Sequence, residues 1–392
     1  MGYSIQERSS LKVLHLYSDW RWTGPAEPVL QICRGLKERG HDVKIAFRKD
    51  PVKTENLTIE KKVKEEGIEG VTRFSLDRNI GLINTLKDLI YLPAYLKKER
   101  FHIVHMHLSH DHAIGTICSM FLGKKRPVLV RTFHKRVPMK ENLFNRWLLR
   151  HTDGFLFFTE GFRREYIERF GLDPERTAIQ RMTIDLERFN PEKRFRDMRK
   201  EFCIPEDAVV IGTVARFQRY RRMDWFLKAA KLILEERSDV YFLLVGRSSK
   251  INETVIGPVK RLGIERNVIL AGYRREDYVD TINCMDIFTL LMPGSDGTAR
   301  ALREAMAMGK ACVVSDFGML PEIVKDSAIV VKDIISLKEA WKRLIENEEE
   351  RRSFGKKARE YALRNFLIED AAKSLEEFYL KLLKAYNMDQ HQ

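Results

Sequence analysis

The sequence predicts an α/β protein made of two doubly wound, Rossmann-like domains, and three observations predict it. Its 392 residues suffice for about two domains. The chain opens strand–loop–helix–strand and restarts that order near residue 209. Residues 286–315 then compress a buried strand, a glycine-containing loop, a helix and a second buried strand into one unit.

Each element has its own signal. Residues 11–17 (LKVLHLY) are apolar and β-prone, residues 27–39 form an amphipathic helix that Gly40 ends, and residues 41–47 (HDVKIAF) are the second strand. The loop between the first strand and that helix carries Gly24 and Pro25, and proline has no N–H to offer a ligand. Residues 81–99 are helical, with a break expected at Pro93. Strands follow at 102–107, containing His105 and His107, and at 127–134, ending on His134. A further strand at 153–159 has the helix 160–170 behind it. Residues 178–191 are a crossover, which places the domain boundary near Pro191: a first domain of residues 1–190, a second of 191–365, and a closing helical segment of 366–392. In the second domain the strand 209–214 runs into Arg216 and a basic turn (Arg219, Arg221, Arg222) before a helix. Strands at 239–246 and 268–272 follow, the latter leading into Tyr273 and Arg274. Residues 337–361 and 367–386 are helical, the last amphipathic.

The densest stretch is 292–309 (MPGSDGTARALREAMAMG). Residues 298–308 form a helix stopped by Gly309, with Ala301, Leu302, Ala305 and Met308 toward a core and Arg300, Arg303 and Glu304 on a polar face. The loop before it aims the first helical N–H groups at whatever sits above the strand ends. Such helix starts hold phosphate, and open α/β sheets bind ligands there. Two acids frame the unit, Asp296 and Glu304. Read structurally, Asp296 caps the helix and Glu304 pairs with Arg300 one turn away.

On these residues the chain resembles the retaining family 4 glycosyltransferases, whose signature is Glu-x7-Glu; here it stands as Asp296-x7-Glu304 followed by AMAMG. The first acid is one methylene shorter than the family's. The resemblance extends over about residues 11–385, through the loop with Gly24-Pro25 in place of Gly-Gly, IVHMH, PVLVRTFH, the crossover tail IDLERF, ARF, RRMDWFLKA, VILAG and GMLPEIV, in the family's order. It implies the GT-B fold, two Rossmann-like domains facing across a cleft, and transfer from a nucleotide-sugar with retained configuration and no enzyme nucleophile. It places Arg216 and Arg221 on the donor diphosphate, with Arg219 or Arg222 as substitutes for the second. Gly24, Gly297 and the N–H groups of Thr298, Ala299 and Arg300 lie near the phosphates, and Glu304 on the ribose hydroxyls. Asp296 and His134 lie at the donor sugar, and the backbone of Tyr273 and Arg274 at the nucleobase. His105, His107, His110 and His112 span two faces without a clean metal spacing and stay outside this site.

Composition bounds the partners. The formal net charge is +14, and residues 1–190 hold 34 Lys/Arg against 24 Asp/Glu. Residues 124–150 concentrate Lys124, Lys125, Arg126, Arg131, Lys135, Arg136, Lys140, Arg146 and Arg150 against Glu141 alone. That is either a solvated basic face or a surface for an anionic membrane, an acidic acceptor or nucleic acid. No RNA- or DNA-binding motif accompanies it. Phe144, Trp147 and Leu148 either insert beside these cations or pack inside. No run of about 18 apolar residues is present. Residues 1–12 lack an apolar leader core. These features predict a cytoplasmic protein, peripheral on the inner membrane face if it serves a lipid-linked acceptor. The five cysteines (Cys33, Cys118, Cys203, Cys284, Cys312) have no paired spacing, and neither H-E-x-x-H nor Asp-x-Asp occurs, so no metal cofactor is expected. The expected acceptor is a glycan or lipid-linked sugar of cell-envelope or polysaccharide synthesis. The alternative is a non-catalytic basic module of the same fold docking on a membrane or anionic partner, which would lack stabilisation by nucleotide.

Overall fold

A computed structural model describes residues 10–22, 24–52, 57–78, 81–135, 137–294 and 299–390. The chain divides into two compact units, Met1–Thr183 with Ile368–Gln392, and Ile184–Leu367. The passage from one to the other falls at Thr183–Ile184, ahead of Pro191.

The first unit holds a seven-stranded parallel sheet: β1 (Lys12–Tyr17), β2 (Asp42–Phe47), β3 (Glu69–Val71), β4 (Ile103–Met106), β5 (Val128–Thr132), β6 (Gly154–Phe157) and β7 (Thr177–Ile179). Their spatial order is β3-β2-β1-β4-β5-β6-β7, so the winding reverses between β1 and β4. The strands β4, β5 and β6 are buried along their whole length, as a parallel sheet covered on both faces requires. On one face the helices Ala26–Glu38 and Ile368–Gln390 share a core with Val13, Tyr17 and Val130. They approach closely because residue 35 is glycine: a Cβ there would meet the Ala372 Cβ at 2.8 Å. The other face packs Leu92, Leu96 and Ile114 against Leu14, Leu16 and Leu129.

Helix Leu82–Glu99 runs through Pro93 without a break, contrary to the sequence expectation. Proline there costs one backbone hydrogen bond, and the buried Leu92, Tyr95 and Leu96 around it keep the helix on the sheet.

The second unit holds a six-stranded parallel sheet: β8 (Val209–Arg216), β9 (Val240–Arg247), β10 (Val268–Gly272), β11 (Ile287–Leu290), β12 (Ala311–Ser315) and β13 (Ile329–Val331). The order is β10-β9-β8-β11-β12-β13, with the reversal between β8 and β11. Trp341 is buried at its centre and donates from Nε1 to Thr289 Oγ1 at 2.9 Å. The single helix expected over 337–361 is two, Ile334–Glu346 and Glu348–Asn365. Asn347 separates them in an extended conformation, and its side chain caps the second by accepting from the Glu350 N–H. Gly309 ends helix Arg300–Ala307 at φ 66°.

Candidate active site

Adjacent strands that wind away from each other leave a crevice at their carboxyl ends, and this is where open α/β sheets bind ligands. Each unit has one such reversal; Gly24 follows β1 at the first, and Arg216 and Arg221 lie at the exit of β8 at the second.

In the second unit Arg216 is the last residue of β8, exposed and without a side-chain partner among the described residues. Arg221 sits in the short turn Arg219–Arg221, and its Nη1 donates to the Met292 carbonyl at 2.6 Å. That bond ties the exit of β8 to the exit of β11. Arg219 is paired with Glu253, and the Arg222 guanidinium lies 4.2 Å from the Trp225 ring and 5.2 Å from Phe317. The latter two are committed to local packing.

Ala299 has φ 46° and leads into helix Arg300–Ala307. Glu304 is buried there, with Oε1 3.0 Å from Arg300 Nε and Oε2 accepting from the Tyr278 hydroxyl at 2.5 Å. The expected pair with Arg300 is present. The polar face is turned inward, with Arg303 and Glu304 each only 1 % exposed. The helix presses this side against the body of the unit, where Tyr278 and Phe366 stand. Asp296, Gly297 and Thr298 lie outside the described residues.

Tyr273 follows Gly272, whose φ of 70° turns the chain out of β10, and its exposed ring lies 4.6 Å from the Arg247 guanidinium. The Arg274 side chain is spent on its own loop: it donates to the Ala271 carbonyl at 2.9 Å, Asp277 at 2.6 Å and Glu201 at 3.0 Å. Only the backbone at 274 remains for a ligand.

In the first unit Gly24 precedes Pro25, which begins helix Ala26–Glu38 without a side-chain cap. Asp111 organises the reversal. Its buried carboxylate accepts from Ser18 N (2.7 Å), the Ser18 hydroxyl, His107 N (3.3 Å) and Leu108 N (2.7 Å), clamping the exits of β1 and β4 together. Burial pushes this carboxyl up to about 6 despite the donors that favour its charge.

His134 lies two residues past β5, buried, with Nε2 3.1 Å from His107 Nδ1. The other nitrogen of His107, Nε2, is 2.9 Å from His15 Nδ1. His105 is held between the Tyr379 hydroxyl and Thr132 Oγ1, each at 2.6 Å. Burial lowers the pKa of His15 and of His134 to about 3 and those of His105 and His107 well below the ordinary value, with buried Arg131 lowering the last three further. All four rings are therefore neutral at neutral pH.

The sequence reading leaves His105 and His107 outside the site; the structure sets His107 against His134 and His105 against His107. The available signal was positional. His105 on β4 and His107 just past its end are two residues apart, the spacing that shares a face, and His15 is the register partner of His105 on β1. One nitrogen each from His15, His105 and His107 fall within 4.8 Å of one another, a spacing that can suit a metal ion. Both nitrogens of His105 already have partners, however, and the neighbouring Arg131 charge repels a cation.

The basic stretch splits apart. Arg126 binds Asp153 through two contacts (2.6 and 2.8 Å), Arg131 is in the core, and Arg146 pairs with Glu141. Lys124, Lys125, Lys135, Lys140 and Arg150 are exposed, and Arg136 lies outside the described residues. Leu148 of helix Leu143–Arg150 is buried, so it cannot insert into a membrane, and Trp147 is half-buried beside Phe144 and His151. Leu143 (88 % exposed) and Phe144 are the residues turned outward.

Two units, each a parallel sheet with its own winding reversal, define a protein of the GT-B class. Solved structures agree over nearly the whole chain. A glycosyltransferase from Rickettsia africae superposes with TM-score 0.80, covering 96% of this chain and 99% of that one at 16% identity. Anabaena HepE in complex with UDP gives 0.76, covering 94% and 99%, also at 16%. Residues 23–188 match the Glycosyltransferase Family 4 model, and residues 194–361 match Glycosyl transferases group 1. The chain belongs to the family 4 glycosyltransferases and is an enzyme of the nucleotide-sugar-dependent class. Among curated relatives, the Escherichia coli UDP-Gal:alpha-D-GlcNAc-diphosphoundecaprenol alpha-1,3-galactosyltransferase is 25% identical over 359 residues, 87% of this chain and 89% of its own. The Bacillus anthracis N-acetyl-alpha-D-glucosaminyl L-malate synthase is 25% identical over 74% of this chain and 77% of its own.

Proposed function

We propose that the protein transfers a sugar, with retention of anomeric configuration and without a metal, from a nucleotide-diphosphate donor to a glycan or lipid-linked acceptor of cell-envelope or polysaccharide synthesis. The observation that carries this reading is the placement of Arg216 and the Met292-anchored Arg221 at one sheet reversal, where the exits of β8 and β11 are tied together.

The reaction breaks the bond between the anomeric carbon and the diphosphate, so negative charge grows on the leaving β-phosphate. Two guanidinium groups and the first N–H groups of helix Arg300–Ala307 offset that charge without any reorganisation at the moment of cleavage. Glu304, braced by Arg300 and Tyr278, accepts hydrogen bonds from the ribose hydroxyls. Asp296 and the neutral His134 meet the donor sugar. The acceptor hydroxyl attacks from the side on which the diphosphate leaves, and its proton passes to the departing phosphate oxygen. The bond made replaces the bond broken on the same face, which retains configuration.

The name of the Escherichia coli relative supports a lipid-linked acceptor. Among the described residues no helix is long and apolar enough to cross a membrane, so reaching such an acceptor calls for a docking surface. Helix Leu82–Glu99 offers one for an anionic lipid surface. Ile83, Leu86, Ile90 and Tyr91 are exposed on it beside Lys87, while its acids turn away: Asp88 accepts from Ser75 N and Leu76 N, and Glu99 pairs with Lys12 and Lys44.

A panel of UDP-, GDP- and ADP-sugars, assayed for transfer with and without EDTA, tests the proposal. Product NMR should report the donor's own anomeric configuration. An inverted product, or activity abolished by EDTA and restored by Mg²⁺, overturns the corresponding part.

A further inference from the structure

We propose that His15 and His107 are positioning residues for the transferase reaction: through two imidazole–imidazole hydrogen bonds they hold His134 in a single tautomer, its Nδ1–H offered to a sugar oxygen. The inference rests on the placement of His134 at the donor sugar given above.

A neutral imidazole carries one N–H and one lone pair. In the chain His15 Nδ1···His107 Nε2 and His107 Nδ1···His134 Nε2, both bonds must therefore run in the same direction. Only two arrangements exist. The two terminal atoms, His15 Nε2 and His134 Nδ1, are both buried and without a hydrogen-bond partner among the described residues. One arrangement strands an N–H at His15 Nε2, in the middle of β1 at 0 % exposure; the other puts the unpartnered N–H on His134 Nδ1. A buried donor without an acceptor is costly at either end, and only at His134, two residues past β5, does the donor sugar placed there supply one. The direction therefore runs from His15 to His134.

The surroundings keep the relay uncharged and in place. His105 packs its ring 4.2 Å from that of His107, and both of its nitrogens are fixed by Tyr379 and Thr132. The charged and titratable neighbours are His107 and His105 from β4, Arg131 and Lys135 on the chain of His134 itself, Asp111 from helix Ser109–Met120, and Tyr379. Arg131 in the core opposes an imidazolium on any of these rings. A neutral donor suits a sugar hydroxyl or ring oxygen and leaves the diphosphate to the arginines.

Long-range ¹H–¹⁵N spectra of the full-length labelled protein read tautomer and charge directly. His134 should show Nδ1–H and stay neutral from pH 5.5 to 8. In His107→Leu the fixed tautomer should be lost and kcat should fall roughly tenfold, the scale of one hydrogen bond, with KM for the donor nearly unchanged. His107→Gln, whose amide has both a donor and an acceptor, should recover part of that loss. A wild-type His134 protonated on Nε2, or a His107→Leu variant with unaltered tautomer and turnover, overturns the relay. If His107→Leu does not fold, the wild-type spectrum alone decides. Full turnover in His134→Ala with the tautomer order intact instead overturns the placement of His134 at the sugar, and with it the catalytic use of the relay.

Discussion

Glu304 is a carboxylate buried at 1 % exposure and held by Arg300 and the Tyr278 hydroxyl, so its charge is fixed in direction before any ligand arrives. Glu304→Gln should weaken nucleotide binding by about 1 to 3 kcal/mol, the range for hydrogen bonds to a charged group. Calorimetry with UDP, GDP and ADP checks this, and unchanged affinities would reduce Glu304 to a partner for Arg300. The two arginines should separate kinetically. Arg216 has no side-chain partner among the described residues, so Arg216→Ala should lower kcat by about 10²-fold, as loss of a transition-state donor does, with little change in KM. Arg221→Ala also releases the Met292 carbonyl at the exit of β11, so steady-state kinetics should show kcat falling and KM rising together. Equal responses in the two variants would mean that anchoring to Met292 is irrelevant to the donor. Arg216, Arg221 and Glu304 could be singled out as candidates in the sequence because each rides on a contiguous motif. Tyr278 and His15 were not, since they come from elements 26 residues from Glu304 and 92 residues from His107, and only the folded sheet brings them in.

At the scale of elements, the exits of β1, β4 and β5 form a buried polar layer, and its protonation should govern the acid limb of stability. His15 and His134 are held near 3 in the fold against about 6.5 in an unfolded chain, and His105 and His107 are displaced the same way. Below pH 6.5 the unfolded chain takes up protons that the folded one refuses, so stability present above pH 6.5 is lost as pH falls toward 3. His15 and His134 should each account for about 2 kcal/mol between pH 7 and 5. Asp111, raised to about 6, runs the other way, gaining its proton first in the fold, and offsets about 1 kcal/mol of that loss by pH 5. Urea unfolding at pH 7, 6 and 5 should show the decline, and His15→Leu should flatten it. A pH-independent midpoint would refute the neutral buried cluster. The long buried strands and their order of appearance were readable because apolar runs and turn residues are local. The misses have local causes too. The three-residue strands β3, β7 and β13 are too short for a period, Pro93 is overridden by tertiary packing, and Asn347 interrupts an unbroken helical rhythm with a single cap.

For the whole molecule the net charge is +14, with 34 Lys/Arg against 24 Asp/Glu in residues 1–190. Three of the eight described basic residues at 124–150 (Arg126, Arg131 and Arg146) prove internal or paired, so charge alone is a weaker argument for a membrane than the sequence suggested. What strengthens it is exposed apolar surface in the same unit. Ile83 (70 %), Ile90 (66 %), Leu86 and Tyr91 line the outer face of helix Leu82–Glu99, where Lys87, Lys97 and Lys98 are also exposed. Helix Ser109–Met120, in contact with it, ends at the exposed Phe121 and the cations Lys124 and Lys125. Basic residues near an anionic membrane contribute about 1 kcal/mol each, so a few of these lysines suffice for reversible attachment, while the apolar side chains add burial at the headgroup boundary. The protein should therefore sediment with vesicles rich in phosphatidylglycerol at low salt, and far less with phosphatidylcholine vesicles or at high salt. Ile83→Glu with Ile90→Glu should abolish sedimentation and leave transfer to a water-soluble acceptor unchanged, because both residues are exposed on a helix that carries none of the candidate site residues. Changes at Leu148 should instead destabilise the fold, since that residue is buried. If the wild-type protein stays in the supernatant with anionic vesicles at low salt, the surface does not serve a membrane, and the acceptor must come to the enzyme in solution.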